Sequence, residues 1–225
     1  MLIAVSDLPP GMKIGVLGSG DVGRTLARGL ASRGHEVRLG SREPLSEKLR
    51  TWRSSVKGTI STGTFAEAAA HGDLLVLSVH GAAAEAVLDS LGPLPFQGKV
   101  VIDTTNPLVF SSEVPSLFVG LTDSLGERVQ RKIPGARVVK AFNTISSEQM
   151  VDPQFGGGPP EMLICGNDPA AKTQVDHLVR ELGWPGVIDL GGIEECRWLE
   201  PLVPLWIRIG AKLGTWKHGL KVVRP

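Results

Sequence analysis

Apolar positions along the chain fall into two alternating patterns. The apolar run at 74–79 is that expected of a strand covered on both faces, and 13–17, 99–103 and 137–141 read as further strands. Shorter strands are expected at 35–39, 59–61, 162–165 and 186–190. Between them lie stretches with three- and four-residue spacing. Val22, Leu26 and Leu30 share one helical face, with Gly23 and Ala27 as a small-residue face beside it. Leu45, Leu49 and Trp52 mark one face of a helix over 46–56, and further helices are expected at 82–91 and 169–182, the last with Pro169 at its first position. Thr64 followed three residues on by Glu67 is the capping box of a helix that begins at Phe65. Residues 153–160 hold three consecutive glycines and read as a loop, either a lid or a surface excursion. Residues 196–216, dense in Leu, Ile and Trp, read as one long helix. Strands alternating with helices predict an α/β protein with a doubly wound, mostly parallel sheet and a small C-terminal helical extension.

The first strand ends in Gly18-Ser19-Gly20-Asp21-Val22-Gly23, and a helical pattern follows at once. Gly-x-Gly-x-x-Gly between a strand and a helix is the Rossmann phosphate loop. Gly18 suits the tight turn, Gly20 the approach of a pyrophosphate, and Gly23 the packing of helix on strand. The helix N-terminus supplies free N–H groups and a positive dipole end. With 28 glycines in the chain the motif alone is weak, and its strand–helix context gives it weight. A second signal lies at the end of the next strand, about 20 residues past Gly18, where NAD-binding members of this fold place an acidic ribose ligand. Here that turn holds Ser41 and Arg42. A hydroxyl and a planar guanidinium suit a 2′-phosphate, so the predicted cofactor is NADP(H).

In such sheets ligands sit beyond the carboxyl ends of the strands. Besides Gly18–Gly23, Ser41 and Arg42, those ends carry Val79 and His80, Asn106 and Pro107, and Phe142, Asn143 and Thr144. These are the candidate cofactor-binding residues. Asn106, Asn143 and Thr144 are neutral hydrogen-bonding groups suited to a nicotinamide amide or a flat polar ring, though Asn and Thr also serve turns. His80 is the one histidine at a strand end and could donate a proton or contact a phosphate. The ends hold no nucleophile–base–acid set, so no catalytic side chain is expected.

Composition narrows the classes. A chain of 225 residues with net charge +1 and no basic patch gives no reason to expect nucleic acid or a charged membrane surface. No apolar run reaches the length of a membrane span, and residues 1–11 do not read as a signal peptide. Cys165 and Cys196 match no metal spacing and are expected as buried small hydrophobes in a reducing, cytoplasmic setting. The expected division is an NADP-binding Rossmann domain over 12–145 and a smaller C-terminal region over 146–225 packed on it. The apolar stripe of 196–216, with Trp198, Leu202, Leu205, Trp206, Ile209 and Leu213, must be buried against its own domain or a second subunit, so a homodimer is expected.

With these pieces placed, the chain resembles a known family, the NADP oxidoreductases that use the deazaflavin coenzyme F420. It is also similar to the cytosolic domain of STEAP-type metalloreductases. The resemblance rests on Gly18–Gly23, Gly40-Ser41-Arg42, Val139-Lys140-Ala141-Phe142-Asn143-Thr144-Ile145 and Cys165-Gly166-Asn167-Asp168. It rests also on Asp189-Leu190-Gly191-Gly192 with Arg197-Trp198-Leu199-Glu200-Pro201-Leu202 downstream. The Lys140–Thr144 stretch looks more like the metalloreductase side, where the second cofactor is a flavin. The resemblance implies an oxidoreductase that passes a hydride between NADP(H) and a flat redox cofactor, F420 or a flavin. A reductase of a small carbonyl or imine, or an NADPH-binding sensor without turnover, are the alternatives. The first of these would need an acid to protonate oxygen or nitrogen.

Overall fold

The computed structural model describes residues 11–110 and 115–224. Apart from Gly11, the stretch read as lacking a signal peptide lies outside the described residues. The first half runs β1 (Lys13–Leu17), α1 (Asp21–Ser32), β2 (Glu36–Gly40), α2 (Glu47–Ser55), β3 (Ile60–Gly63), α3 (Phe65–His71), β4 (Leu74–Leu77), α4 (Gly81–Leu91) and β5 (Val100–Asp103). The second half runs β6 (Leu108–Val109), β7 (Ser116–Leu117), α5 (Leu125–Lys132), β8 (Arg137–Lys140), β9 (Met162–Gly166), α6 (Pro169–Glu181), β10 (Val187–Asp189), α7 (Cys196–Leu199) and α8 (Leu202–Leu213). Eight strands form one sheet in the order β10-β9-β8-β5-β4-β1-β2-β3, and β6 pairs with β7 in a small antiparallel ribbon. All pairings in the large sheet are parallel except β8 with β9, so the fold is the Rossmann-type, mostly parallel α/β architecture. Beyond residue 145, β9 and β10 extend this same sheet.

Every residue of β4 and β5 is buried, because helices cover both faces of the sheet. The two faces sort their side chains by parity. Leu74, Val76, Val100 and Ile102 join the core that includes Leu26 and Leu30 of α1 and Val175 and Leu178 of α6. Leu75, Leu77 and Val101 join the opposite core, with Ala84 and Leu88 of α4 and Leu125 and Val129 of α5. Local signals act where expected. Thr64 accepts from the Glu67 amide, and the Glu67 carboxylate accepts from the Thr64 amide. Asp168 caps α6, accepting from the Ala171 N–H at 2.7 Å.

The structure corrects or extends the sequence reading at four places. The segment 196–216 is not one helix. It breaks between α7 and α8 at Glu200 and Pro201, where proline has no N–H to continue the ladder, and α8 stops at Gly214 in the left-handed region. Trp216 folds back onto Trp206, ring centroids 5.9 Å apart. Leu45 does not share the buried face of Leu49 and Trp52. It lies before α2 and is 79% exposed. Cys165 and Cys196, distant in sequence, meet in the core with their sulfurs 3.3 Å apart. The fourth difference is α5, absent from the sequence reading because Leu125–Lys132 carries only two large apolar residues among charged ones.

Candidate cofactor-binding and active site

The strand registers bring the predicted ends together. Leu17 pairs with Gly40 and with Leu77, Leu77 with Asp103, and Asp103 with Lys140. The loops that follow β1, β2, β4, β5 and β8 therefore emerge side by side along one edge of the sheet. Backbone bonds lock this edge: Gly18 N–H donates to Gly40 O at 3.1 Å, and Ser78 N–H donates to Leu17 O at 2.8 Å. The Ser78 hydroxyl also donates to the Leu17 carbonyl, at 3.2 Å.

The glycines behave as the motif requires. Gly18 has φ +128°, and a Cβ there would lie 2.5 Å from the Ser78 carbonyl oxygen. A Cβ on Gly23 would overlap the Gly18 carbonyl, so this glycine is what lets α1 start so close to β1. Gly20 faces open space, with nothing within 4 Å of where its Cβ would be. It is also the N-cap of α1 and offers no side chain to the first-turn amides. An uncapped helix end beside an open glycine leaves N–H groups to an anion from outside.

A cleft of about 480 Å³ opens in front of this helix end. It brings together Gly18, Ser19, Gly20, Ser41, Arg42, Val79 and His80 from the predicted set. Ser19 donates to the Ser41 hydroxyl at 3.0 Å, which ties the phosphate loop to the discriminating turn. Arg42 is exposed and shows no ion pair among the described residues, while Ser41 is buried. His80 is exposed at the start of α4. Asp21 and Val22 do not line the cleft. Asp21 is exposed and pairs with Arg24 at 2.6 Å, and Val22 packs against the core. Residues not foreseen from sequence also line it, among them Arg24, Glu43, Ser46, Lys48 and Phe65. Arg24 sits one turn into α1 and Lys48 in the first turn of α2. Both could have been found by extending the search from strand ends to the helix turns beside them.

The other predicted group lies along the same edge. Asn106 and Asn143 form a reciprocal pair. Asn106 Nδ2 donates to the Asn143 backbone carbonyl at 2.9 Å, and Asn143 Nδ2 donates to Asn106 Oδ1 at 3.1 Å and to the Leu199 carbonyl at 3.2 Å. Asn143 Oδ1 is buried and has no hydrogen-bond partner within the described chain. Pro107 is buried beside them, whereas Thr144 is half-buried at a separate small cavity with Trp184 and Leu220, and none of these residues lines the cleft. Phe142 is placed differently from the ligand wall expected. Its ring is in the core, edge-on to Trp184 with centroids 6.4 Å apart. Its φ of +61° is a left-handed conformation that bulky residues rarely adopt, at a cost of roughly 1–3 kcal/mol. That turn delivers Asn143 to Asn106.

Residues 13–107 match the family described as NADP oxidoreductase, coenzyme F420-dependent. The F420-dependent NADP reductase of Methanothermobacter marburgensis is 32% identical over 94% of this chain and 98% of its own. The chain belongs to the F420-dependent NADP reductase family. A solved structure from Arthrobacter sp. FB24, provisionally named an F420-dependent NADP reductase, superposes with TM-score 0.91 at 42% identity, covering 95% of this chain and all of that one. Metalloreductase STEAP3 of Rattus norvegicus is 31% identical over 86% of this chain, which spans only 38% of that protein. Among the described residues no helix is long and apolar enough to cross a membrane.

Several residues behind the family resemblance have structural work in this chain. Asn167 Oδ1 accepts from the Ile193 amide at 2.8 Å, and Asp189 pairs with Lys172 at 2.8 Å. Arg197 forms a fork with Glu127, at 2.9 and 2.6 Å, and this guanidinium holds the Glu127 carboxyl below its ordinary range. Beneath the amide pair lies an ion cluster that sequence reasoning missed. Lys140 Nζ sits 2.7 Å from Asp103 and 2.9 Å from Glu200, with all three side chains buried. Burial pulls the Lys140 ammonium down, and the two carboxylates more than offset this, so it titrates above an ordinary lysine. The Cys196 thiol is pushed up by its hydrogen bond with Cys165 and by burial, which disfavours the thiolate.

Proposed function

We propose that this protein transfers a hydride between NADP(H) and coenzyme F420, with a flavin as the other flat ring its amide wall could accept. The observation that carries the reading is one continuous edge. An uncapped helix end and a cationic cleft lie at one side of it, and at the other an amide wall with an unmet acceptor, behind which the nearby charged groups Lys140, Asp103 and Glu200 are fully buried and paired. The names of the relatives of similar length support the F420 assignment. In this reading Gly18–Gly23 cradle the pyrophosphate, with Gly18, Ser19 and Gly20 at the cleft and Asp21, Val22 and Gly23 shaping the helix start. Ser41 and Arg42, with Lys48 nearby, hold the 2′-phosphate. Val79 and His80 line the path toward the nicotinamide, and Asn106, Pro107 and Asn143 hold the two rings face to face, with Thr144 supporting the turn that carries Asn143. Phe142 shapes that wall from within the core.

Bound NADP(H) supplies the hydride chemistry. The chain's residues bind, orient and exclude water, which is the protein's part where cofactors carry the reaction. A carbonyl or imine reductase would need a proton donor, and a positioned acid is worth about 10²–10⁴-fold in rate. We further infer that residues 12–145 bind the cofactor, that 146–225 pack on that unit while lending it strands, and that the protein works in the cytoplasm as a homodimer. Trp198, Leu205 and Leu213 support the dimer, since all three are exposed on α7 and α8, Trp198 by 71%. Stopped-flow oxidation of NADPH against F420, riboflavin phosphate and quinones tests the reading. Rapid turnover with F420 is expected. Tight NADPH binding with no turnover of any flat acceptor would replace the enzyme with a sensor.

A further inference from the structure

The buried ion cluster joins four segments of chain. Asp103 ends β5, Lys140 ends β8, and Glu200 lies at the break between α7 and α8. Glu200 also accepts from the first amides of α5, Leu125 N at 2.9 Å and Gly126 N at 2.8 Å. Lys140 makes a third bond, donating to the Thr105 carbonyl at 2.9 Å. Asp103 in turn accepts from the Thr105 amide at 2.9 Å and hydroxyl at 2.7 Å.

Stability alone does not explain this cluster. Desolvating an ion trio is expensive, and an apolar trio of the same volume often does as well or better. What the ions add is registry, because each bond has a direction and length that apolar packing lacks. The bonds converge on one place. Thr105 precedes Asn106, which pairs with Asn143. Asn143 stands three residues beyond Lys140 and donates to the carbonyl of Leu199, the neighbour of Glu200. Every segment that contributes to the amide pair is thus held by a bond to Lys140 or to one of its carboxylate partners.

We propose that Lys140 is a positioning residue for hydride transfer: through Asp103, Thr105 and Glu200 it fixes the Asn106–Asn143 pair against which the nicotinamide lies. The proposal rests on the reading that NADP(H) places its nicotinamide at this wall. It does not depend on which acceptor takes the hydride. Lys140 touches neither ring and moves no proton.

Lys140→Met tests it with three readouts: NADPH affinity by calorimetry, single-turnover hydride transfer to F420, and the fluorescence lifetime of bound NADPH. The 2′-phosphate and pyrophosphate contacts lie at other loops, so affinity should change by less than about threefold. A wall displaced by about an ångström should slow hydride transfer about 10- to 100-fold. The lifetime should lose its long component as the nicotinamide loosens. Phe96→Leu is the control, since Phe96 is buried in the hydrophobic core that also holds Leu125 and Leu199, and lies outside the network. If Lys140→Met does not fold, Glu200→Gln keeps the shape of the cluster with one charge fewer and should show the same pattern more weakly. A folded variant with unchanged rate and lifetime overturns the proposal, as does an equal lifetime loss in Phe96→Leu. The lifetime needs no acceptor. Failure of the unmodified protein to reduce F420 would count against the hydride partner alone, and the proposal would still be decided.

Discussion

Replacing Arg42 by alanine should weaken NADPH binding about tenfold and leave NADH binding nearly unchanged. A charge-assisted hydrogen bond is worth about 1.5–3 kcal/mol. Arg42 is exposed at the mouth of its cleft, where water and salt screen it, which places its share near the lower end. About 1.4 kcal/mol is a tenfold change in Kd. Ser41 remains in the variant, held by Ser19 at 3.0 Å, so some 2′-phosphate affinity should persist. Lys48 lines the same cleft, and removing it together with Arg42 should bring NADPH toward the affinity of NADH. Titration calorimetry with both cofactors, repeated at two salt concentrations, measures this. The NADPH preference should shrink as salt rises. Equal losses for NADPH and NADH would refute the 2′-phosphate assignment, because only one of the two carries that group.

Three further outcomes are expected. His80→Ala should slow turnover by less than about tenfold, since no side-chain acid is needed; a thousandfold loss in steady-state assays would favour a carbonyl or imine reductase. Arg197→Met should lower the melting temperature near neutral pH. Because Arg197 holds Glu127 below its ordinary value of 4.5, the stabilisation is present above that value and lost as pH falls through the depressed one. The gap to the unmodified protein should therefore close in acid, and a gap that widens there would contradict this sign. Sedimentation should show a dimer at micromolar concentration that Trp198→Glu dissociates, and a monomeric unmodified protein would refute the interface.

Much of the fold was legible because the signals were local and strong. Leu74–Leu77 could only be a strand buried on both faces, and Thr64 with Glu67 announced the start of α3. The cleft was half legible. Ser19, Ser41, Arg42 and His80 follow from strand ends, whereas Arg24 and Lys48 reach it from helix turns that a reading of loops passes over. The Lys140 cluster was illegible for a different reason. Asp103 and Lys140 fall in two separate strand runs, and Glu200 in the segment that reads as one long helix. Only the pairing of β5 with β8, and the break that Pro201 makes after Glu200, bring the three together. Phe142 misled because its neighbour Asn143 does meet Asn106 at the edge, while the left-handed turn at Phe142 sends its ring inward.

The most direct test of the central claim is isotopic. NADPH carrying deuterium on one face of C4 is mixed with the protein and F420, and the reduced deazaflavin is examined by mass spectrometry. Direct transfer between rings held face to face predicts that the label from one of the two stereoisomers, and not the other, appears at the acceptor carbon, which does not exchange rapidly with water. Reduced F420 without label from either isomer, or with equal label from both, would contradict a wall that holds the nicotinamide in a single orientation.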